Sequence, residues 1–217
     1  WAEDWGIAVC SWWATHLAIA TDHPCHVGAD PGPWMEKADV VVVLNCIAPW
    51  WPDKHKLNEG AKVINIGPDP VFSRFPVRNF PSDLTIAGET SLTVPALIDA
   101  MAELRRDDSA IAARRQHLAA ASKHNRETLA EKATSDTARG ITKAHVSHCL
   151  GEALDGIKSS VFSELGTSLG TLKRTDHNSW FQEPHSGGLG WSFPAALGAQ
   201  LADPDRVCVA TMGDGSY

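Results

Sequence analysis

Basic residues are scarce in this sequence, and no long apolar run is present. Lys and Arg total 19 against 26 Asp and Glu, which gives a net charge of −7 at pH 7. Because there is also no basic run, this balance argues against a nucleic-acid-binding surface. The densest apolar run, Val40 to Leu44, is far shorter than the roughly 20 residues that span a bilayer. We therefore expect neither a nucleic acid nor a membrane as partner.

The number of cysteines is odd, so they cannot all pair with one another within the chain. The five cysteines stand at irregular spacings, several of them in apolar, strand-like runs where a free thiol behaves as a small hydrophobe. This pattern favours a reduced, cytoplasmic protein over a disulfide framework.

Two nucleotide-binding signatures are missing as well. No Gly-x-Gly-x-x-Gly follows a predicted strand, and no Walker sequence is present. These gaps argue against a dinucleotide-binding enzyme and a P-loop nucleotidase. A serine hydrolase is not expected either.

The first half of the chain alternates short apolar runs with helical or loop stretches. The runs predicted as strands are Ile7–Val9, Asp39–Leu44, Lys62–Ile66 and Leu84–Ala87. Asp39–Leu44 has no polar alternation, as expected for a strand buried on both faces. An amphipathic helix is predicted from Ser91 to Leu104. Alternating strands and helices favour a parallel sheet.

A change of composition divides the chain. Residues 107 to about 133 are rich in strong helix formers and predict a long helix, which Asp107, Asp108 or Ser109 could cap. Beyond it, a second series of helices and strands ends in the buried strand Val207–Met212. We predict an α/β fold of two doubly wound parallel-sheet units joined by a long helix. The expected division is 1–106 for a central domain, 107–139 for the linker helix and 140–217 for the second domain.

The strand Val207–Met212 runs directly into Gly213-Asp214-Gly215-Ser216. A small-residue turn after a parallel strand, where a helix is expected to begin, is a natural site for an anion. Glycines let the backbone approach a phosphate closely. Asp214 would add the hard oxygen ligand that Mg²⁺ prefers beside a diphosphate. Gly-Asp-Gly also occurs in plain tight turns, so the turn alone leaves both interpretations open.

A longer pattern precedes this turn. It comprises Gly187-Gly188-Leu189-Gly190, the helix-forming stretch Phe193-Pro194-Ala195-Ala196, and Asp203-Pro204-Asp205-Arg206 before the strand. From Gly187 to Ser216 the sequence resembles, without a gap, the thiamine-diphosphate enzymes that act on 2-oxo acids. These include acetolactate synthase, benzoylformate decarboxylase and pyruvate decarboxylase. Looser resemblance extends to the family's central domain, at residues 38–44, 63–70 and 83–89.

The resemblance implies a cofactor site made of nine residues. It implies that Asp214 binds Mg²⁺, that the backbone N–H groups of Gly215 and Ser216 hold the diphosphate, and that Leu189 wedges the cofactor into a bent shape. It further implies that the Gly187 carbonyl accepts from the cofactor's amino group, and that Gly166 and Thr167 contribute weaker diphosphate contacts. Gly188 and Gly213 complete the expected cofactor-binding set.

The resemblance also implies that other parts of such an enzyme lie outside this sequence. The family's activating glutamate belongs to an N-terminal domain, and its second Mg²⁺ side-chain ligand is an Asn beyond the turn. The sequence begins without Met and stops at Tyr217. We therefore expect a fragment without catalytic residues of its own, inactive alone. The resemblance implies that the whole enzyme is a homodimer or homotetramer.

Two details bear on the subclass and on a second cofactor. The compact spacing Gly187–Pro194 is the form seen in benzoylformate-decarboxylase-like members, whereas acetolactate synthases usually carry extra residues there. Gly67 and Asp30-Pro31-Gly32-Pro33 replace an acidic residue and a glycine-rich stretch of relatives that bind FAD. Thiamine diphosphate and Mg²⁺ are thus the expected cofactors, and FAD is not.

Three functions remain open on the sequence. The first is cleavage or formation of a C–C bond next to a carbonyl, with a 2-oxo acid as the expected substrate. The second is a non-catalytic α/β binding relic that lacks the activating glutamate. The third, a different phosphate-binding enzyme with a chance Gly-Asp-Gly, is disfavoured by the unbroken pattern from Gly187 to Ser216.

Overall fold

The computed structural model describes residues 1–76, 78–135 and 140–217. The strands are β1 (Val40–Leu44), β2 (Lys62–Gly67), β3 (Leu84–Ala87), β4 (Ser159–Ser163), β5 (Trp180–Gln182) and β6 (Val207–Thr211). The helices are α1 (Ala2–Trp5), α2 (Gly32–Met35), α3 (Thr90–Ala102), α4 (Asp108–Ser135), α5 (Lys143–Ala153) and α6 (Ser192–Ala202). The strands form two parallel sheets, which confirms the α/β class.

The first sheet has the order β1-β2-β3, and all its pairings are parallel. Val63 of β2 packs with Val43, Met35 and Trp50 in one apolar cluster. The prediction that β1 is buried on both faces is wrong, since Val40 is 51% exposed and Leu44 43% exposed. The physical reason is that one face of β1 is covered: Val41 and Val43 pack in this cluster, whereas Val40 and Leu44 lie on the opposite face.

The predicted strand Ile7–Val9 is wrong as well. Val9 forms an isolated bridge with His26, and its carbonyl accepts from the Val27 N–H at 3.0 Å. Ala8 and Cys10 instead pack with Cys25, Val27 and Leu118, a residue of α4. This short apolar run therefore lies against the long helix and outside the sheet.

The long helix begins where the sequence places it. Asp107 lies just before α4, and its Oδ1 accepts from the Ala110 N–H at 3.0 Å, as an N-cap residue does. The helix packs against both α1 and α5. The division at residues 106 and 139 stays a prediction, and residues 136–139, at its second boundary, lie outside the described residues.

The second sheet has the order β5-β4-β6, also with parallel pairing throughout. Every residue of β4 is buried, and Val161 packs with Leu154, Leu172 and Trp180. Helix α6 covers this sheet through contacts with β6 and β4. β5 was not predicted from the sequence.

The N-terminal segment reaches this second sheet. His16 forms an antiparallel bridge with Phe181 of β5, and the Gln182 N–H donates to the Thr15 carbonyl at 2.9 Å. Residues 15–16 thus lie along β5 as a short antiparallel addition. Within the described ranges, no helix is both long and apolar enough to cross a lipid bilayer.

One substitution should stabilise this unit without touching a neighbour. Gly198 lies inside α6, is exposed, and a Cβ placed there would meet nothing within 4 Å. Because glycine in a helix interior costs backbone entropy, Gly198→Ala should raise the free energy of unfolding by about 0.5–1 kcal/mol. Urea denaturation of the variant and wild type measures this gain, and a loss of stability would mean that the position is covered.

Candidate functional site

The site is located by the topology of the second sheet. From β4 the chain moves to β5 on one side, then crosses β4 to place β6 on the other side. The order of strands therefore reverses between β4 and β6. In open α/β sheets, ligands bind outside the carboxyl ends of the strands at such a switch point. Gly166 and Thr167 follow β4 there, and Gly213–Ser216 follow β6.

The ends of β4 and β6 are in close contact. A Cβ on Gly166 would lie 2.9 Å from the Thr211 Cβ and 3.3 Å from the Met212 nitrogen, so only glycine fits. The buried Thr167 hydroxyl lies 2.9 Å from the Ser163 hydroxyl and 3.1 Å from that of Thr211. Its side chain thus ties the two strands together. The cofactor contacts of Gly166 and Thr167 stay a prediction.

The loop Gly187–Gly190 borders the same edge. Gly187 donates its N–H to the Pro184 carbonyl at 2.7 Å, in a tight turn beside Glu183. Leu189 is 73% exposed, and its contact with a cofactor stays a prediction. Gly190 has a φ of +91°, and a Cβ there would lie 3.0 Å from the Ser216 carbonyl oxygen. The loop therefore touches the turn that follows β6.

The turn Asp214–Ser216 forms one turn of 3₁₀ helix. Asp214 is exposed, and its Oδ1 accepts from the Gly215 N–H at 3.0 Å. The Ser216 N–H donates to the Gly213 carbonyl at 3.0 Å. Both N–H groups expected to hold a diphosphate thus donate within the turn, and would exchange these partners on binding.

Sequence reasoning missed the role of Glu164 at this edge. It follows β4 directly and is 2% exposed. Its carboxylate accepts from the Gly190 N–H, with distances of 3.0 and 3.1 Å to the two oxygens, and from the Ser192 N–H at 3.3 Å. A hydrogen bond from the Ser216 side chain is the largest of the causes that hold the pKa of Glu164 below its ordinary value.

This lowered pKa predicts a pH dependence of stability. Because the folded-state pKa lies below the unfolded one, the stabilisation by Glu164 is complete above the ordinary glutamate range and is lost as pH falls through the folded-state pKa. The stability difference between wild type and Glu164→Gln should be constant near neutral pH and shrink under acid conditions. Urea titrations across that range measure it, and a difference that grows as pH falls would contradict the assignment.

An aromatic pair lies beside the loop. The Trp13 and His185 rings are 4.8 Å apart in an edge-on arrangement, and Trp13 has a φ of +49°. Partial burial lowers the pKa of His185. This pair brings the N-terminal segment next to residues 187–190. No local pattern could indicate this pair, because the two residues are far apart in the chain.

One segment has the spacing of a hydrolase nucleophile, which the sequence analysis overlooked. Gly166-Thr167-Ser168-Leu169-Gly170 fits the pattern Gly-x-Ser-x-Gly. That elbow requires a helix directly after the turn and a histidine that accepts the serine proton. Here turns follow β4, and within the described ranges the Ser168 hydroxyl forms no hydrogen bond with a histidine. The segment therefore lacks a nucleophile–base pair.

The residues at the switch point fit a magnesium diphosphate group. Mg²⁺ is usually held by one or two carboxylates together with phosphate oxygens and water. Asp214 offers an exposed carboxylate, while Cβ positions on Gly188, Gly213 and Gly215 would face open space. Among the residues that the structure describes, no three His, Cys, Asp or Glu side chains converge on one point. A cation here would therefore take most of its ligands from the bound group and water.

The last quarter of the chain is similar to a known family of enzymes. Residues 165–217 match the family model described as the C-terminal TPP-binding domain of thiamine pyrophosphate enzymes. Thiamine pyrophosphate (TPP) is another name for thiamine diphosphate. The matched segment makes up about a quarter of the chain and is similar to that domain. The matched range contains Gly187–Ser216, so the resemblance drawn from those residues is confirmed.

One curated relative of this family is benzoylformate decarboxylase of Pseudomonas aeruginosa. The chain is 58% identical to it over 33 residues, which are 15% of this chain and 6% of that protein. The match therefore covers a small share of the relative's length. The TPP-binding domain supports thiamine diphosphate as the cofactor, and the individual contacts of the nine residues at this edge stay predictions.

Proposed function

We propose that the protein carrying this chain is a thiamine-diphosphate- and Mg²⁺-dependent enzyme that cleaves or forms a C–C bond next to a carbonyl, with a 2-oxo acid as substrate. The observation that carries the proposal is the family match over residues 165–217, whose turn Asp214–Ser216 lies at the switch point of the second sheet. The similarity to a benzoylformate decarboxylase supports a 2-oxo acid as the substrate class.

Different residues of this edge would bind different parts of the cofactor. Asp214 would bind Mg²⁺, and the N–H groups of Gly215 and Ser216 would bind the diphosphate, with Gly166 and Thr167 as a second set of contacts. The Gly187 carbonyl would orient the aminopyrimidine ring. Bound thiamine diphosphate supplies an electron sink for breaking a bond beside a carbonyl. The chain itself contributes orientation and, at Leu189, an apolar surface.

We also propose that the enzyme is a cytoplasmic homodimer or homotetramer. Phe193, Leu197 and Leu201 are spaced four residues apart on α6 and are 45%, 52% and 84% exposed. Such a stripe on one helix face is typical of a surface that another apolar surface covers. Light scattering of the full-length protein tests the assembly, and a monomer at micromolar concentration would contradict it.

The activity itself is tested with the full-length protein and a panel of 2-oxo acids. We expect consumption of an aromatic or aliphatic 2-oxo acid that requires both thiamine diphosphate and Mg²⁺. Binding of the cofactor without turnover of any member of the panel would favour the binding relic instead. Turnover by protein that has been stripped of bound cofactor, with no cofactor added, would contradict the proposal.

A further inference from the structure

Glu164 stands out because it is a buried carboxylate without a cation. Its side chain forms no ion pair among residues 1–76, 78–135 and 140–217. Burying an ionised carboxylate is costly unless hydrogen-bond donors compensate for the lost water. The donors here are the backbone N–H groups of Gly190 and Ser192, so the position of the carboxylate depends on how the segments of these two residues are arranged.

The first of these segments is the start of α6. Trp191 stands at the N-cap position of this helix and makes no capping hydrogen bond with its side chain. The first N–H groups of a helix lack partners within the helix, and a negative charge near them is favourable. Glu164 accepts from the Ser192 N–H at 3.3 Å and so caps α6 from the end of β4.

The second segment is the loop of the proposed site, whose Gly190 N–H donates to both carboxylate oxygens of Glu164. This loop in turn lies against the turn after β6, since a Cβ on Gly190 would be 3.0 Å from the Ser216 carbonyl oxygen. From β5, Gln182 Nε2 donates to the Glu164 backbone carbonyl at 3.0 Å. Glu164 thus holds the loop that carries Leu189, and this loop lies against the turn that carries Asp214.

We infer that the Glu164 carboxylate fixes the loop Gly187–Gly190 relative to the turn Asp214–Ser216, which makes Glu164 a positioning residue. This inference rests on the proposed function. The distance between Leu189 and Asp214 then depends on where this carboxylate holds Gly190 against the turn. Since these two residues are proposed to contact the ring system and the diphosphate of one cofactor, an error in their spacing would affect its bound shape as well as its affinity.

The test is Glu164→Gln in the full-length protein, with Glu152→Gln as the matched control. Glu152 is an exposed glutamate on α5 of the same unit. Glutamine keeps the size of the side chain but places an N–H₂ group where one oxygen now accepts. Hydrogen bonds to charged groups are among the stronger ones, so we expect thiamine diphosphate binding in Mg²⁺ to weaken roughly 10- to 100-fold. The near-ultraviolet circular dichroism of the bound cofactor should also change.

A readout without cofactor separates this inference from the proposed function. In Glu164→Gln, the amides of Gly190 and Ser192 should lose protection against hydrogen exchange, whereas Glu152→Gln should leave them protected. If wild type fails to bind thiamine diphosphate but these amides lose protection, the proposed function is wrong and the positioning contact stands. Unchanged protection together with unchanged affinity and dichroism would overturn the inference.

A second variant covers the case in which Glu164→Gln does not fold. Glu164→Asp keeps the charge but shortens the side chain by one methylene, which withdraws the carboxylate from the Gly190 N–H. A weakened hydrogen bond of this kind should lower the affinity for the cofactor roughly fivefold, with altered dichroism. If Glu164→Asp binds the cofactor with wild-type affinity and dichroism, the carboxylate does not position the loop and the inference fails.

Discussion

Replacing Asp214 by alanine is expected to abolish Mg²⁺-dependent binding of thiamine diphosphate and to leave the fold intact. Asp214 is the proposed metal ligand, and loss of even an outer contact at a metal site costs about 10–100-fold, so loss of the ligand should exceed about 100-fold. The fold should tolerate the change because the carboxylate is exposed and accepts from the neighbouring Gly215 N–H. Calorimetric titration of the full-length variant with the cofactor in Mg²⁺ measures the loss.

A matched control distinguishes metal binding from general charge. Asp205 is an exposed aspartate in the turn before β6, away from the switch point. Asp205→Ala should bind the cofactor as wild type does, and the thermal unfolding of both variants should stay within about 0.5 kcal/mol of wild type. If both variants lost the same affinity for the cofactor, Asp214 would not be the metal ligand.

Gly190→Ala is the second substitution with a large expected effect. Its φ of +91° is unfavourable for a residue with a Cβ, and that atom would lie 3.0 Å from the Ser216 carbonyl oxygen. Both causes act in the folded state, so the variant should lose about 1–3 kcal/mol in free energy of unfolding. Denaturant titration without cofactor measures this loss directly.

The same loop offers the control for this experiment. A Cβ on Gly188 would meet nothing within 4 Å, and no positive φ is found at this residue. In the same titration, Gly188→Ala should change the free energy of unfolding by no more than about 0.5 kcal/mol. If the two variants were equally stable, the contact between the loop and the turn after β6 would be wrong.

Much of the fold could be predicted because its strands are apolar runs with clear ends. β1, β2 and β3 lie where β-branched runs predict them, and β3 has the predicted bounds. β5 could not be predicted, since it has three residues and is recognised by its pairing with β4, which the local pattern does not contain. The run Ile7–Val9 has strand composition, yet its extended pairing is limited to residues 25–27.

The candidate site could also be predicted in part from the sequence. Gly187–Ser216 carries a family pattern in consecutive residues, so its thiamine diphosphate site could be proposed from sequence. The role of Glu164 could not, because its partners are backbone N–H groups that any residue supplies, 26 and 28 positions further along the chain. The carboxylate after a buried strand was the available signal, and alone it does not identify a partner.

The most direct test of the central claim is a titration of the full-length wild-type protein with thiamine diphosphate, in Mg²⁺ and again with the metal chelated. Thiamine without phosphates serves as the comparison ligand. We predict saturable binding of thiamine diphosphate in Mg²⁺ that is lost on chelation, and no comparable binding of thiamine. Equal binding of both ligands, or affinity that does not depend on the metal, would contradict a magnesium diphosphate site at Asp214.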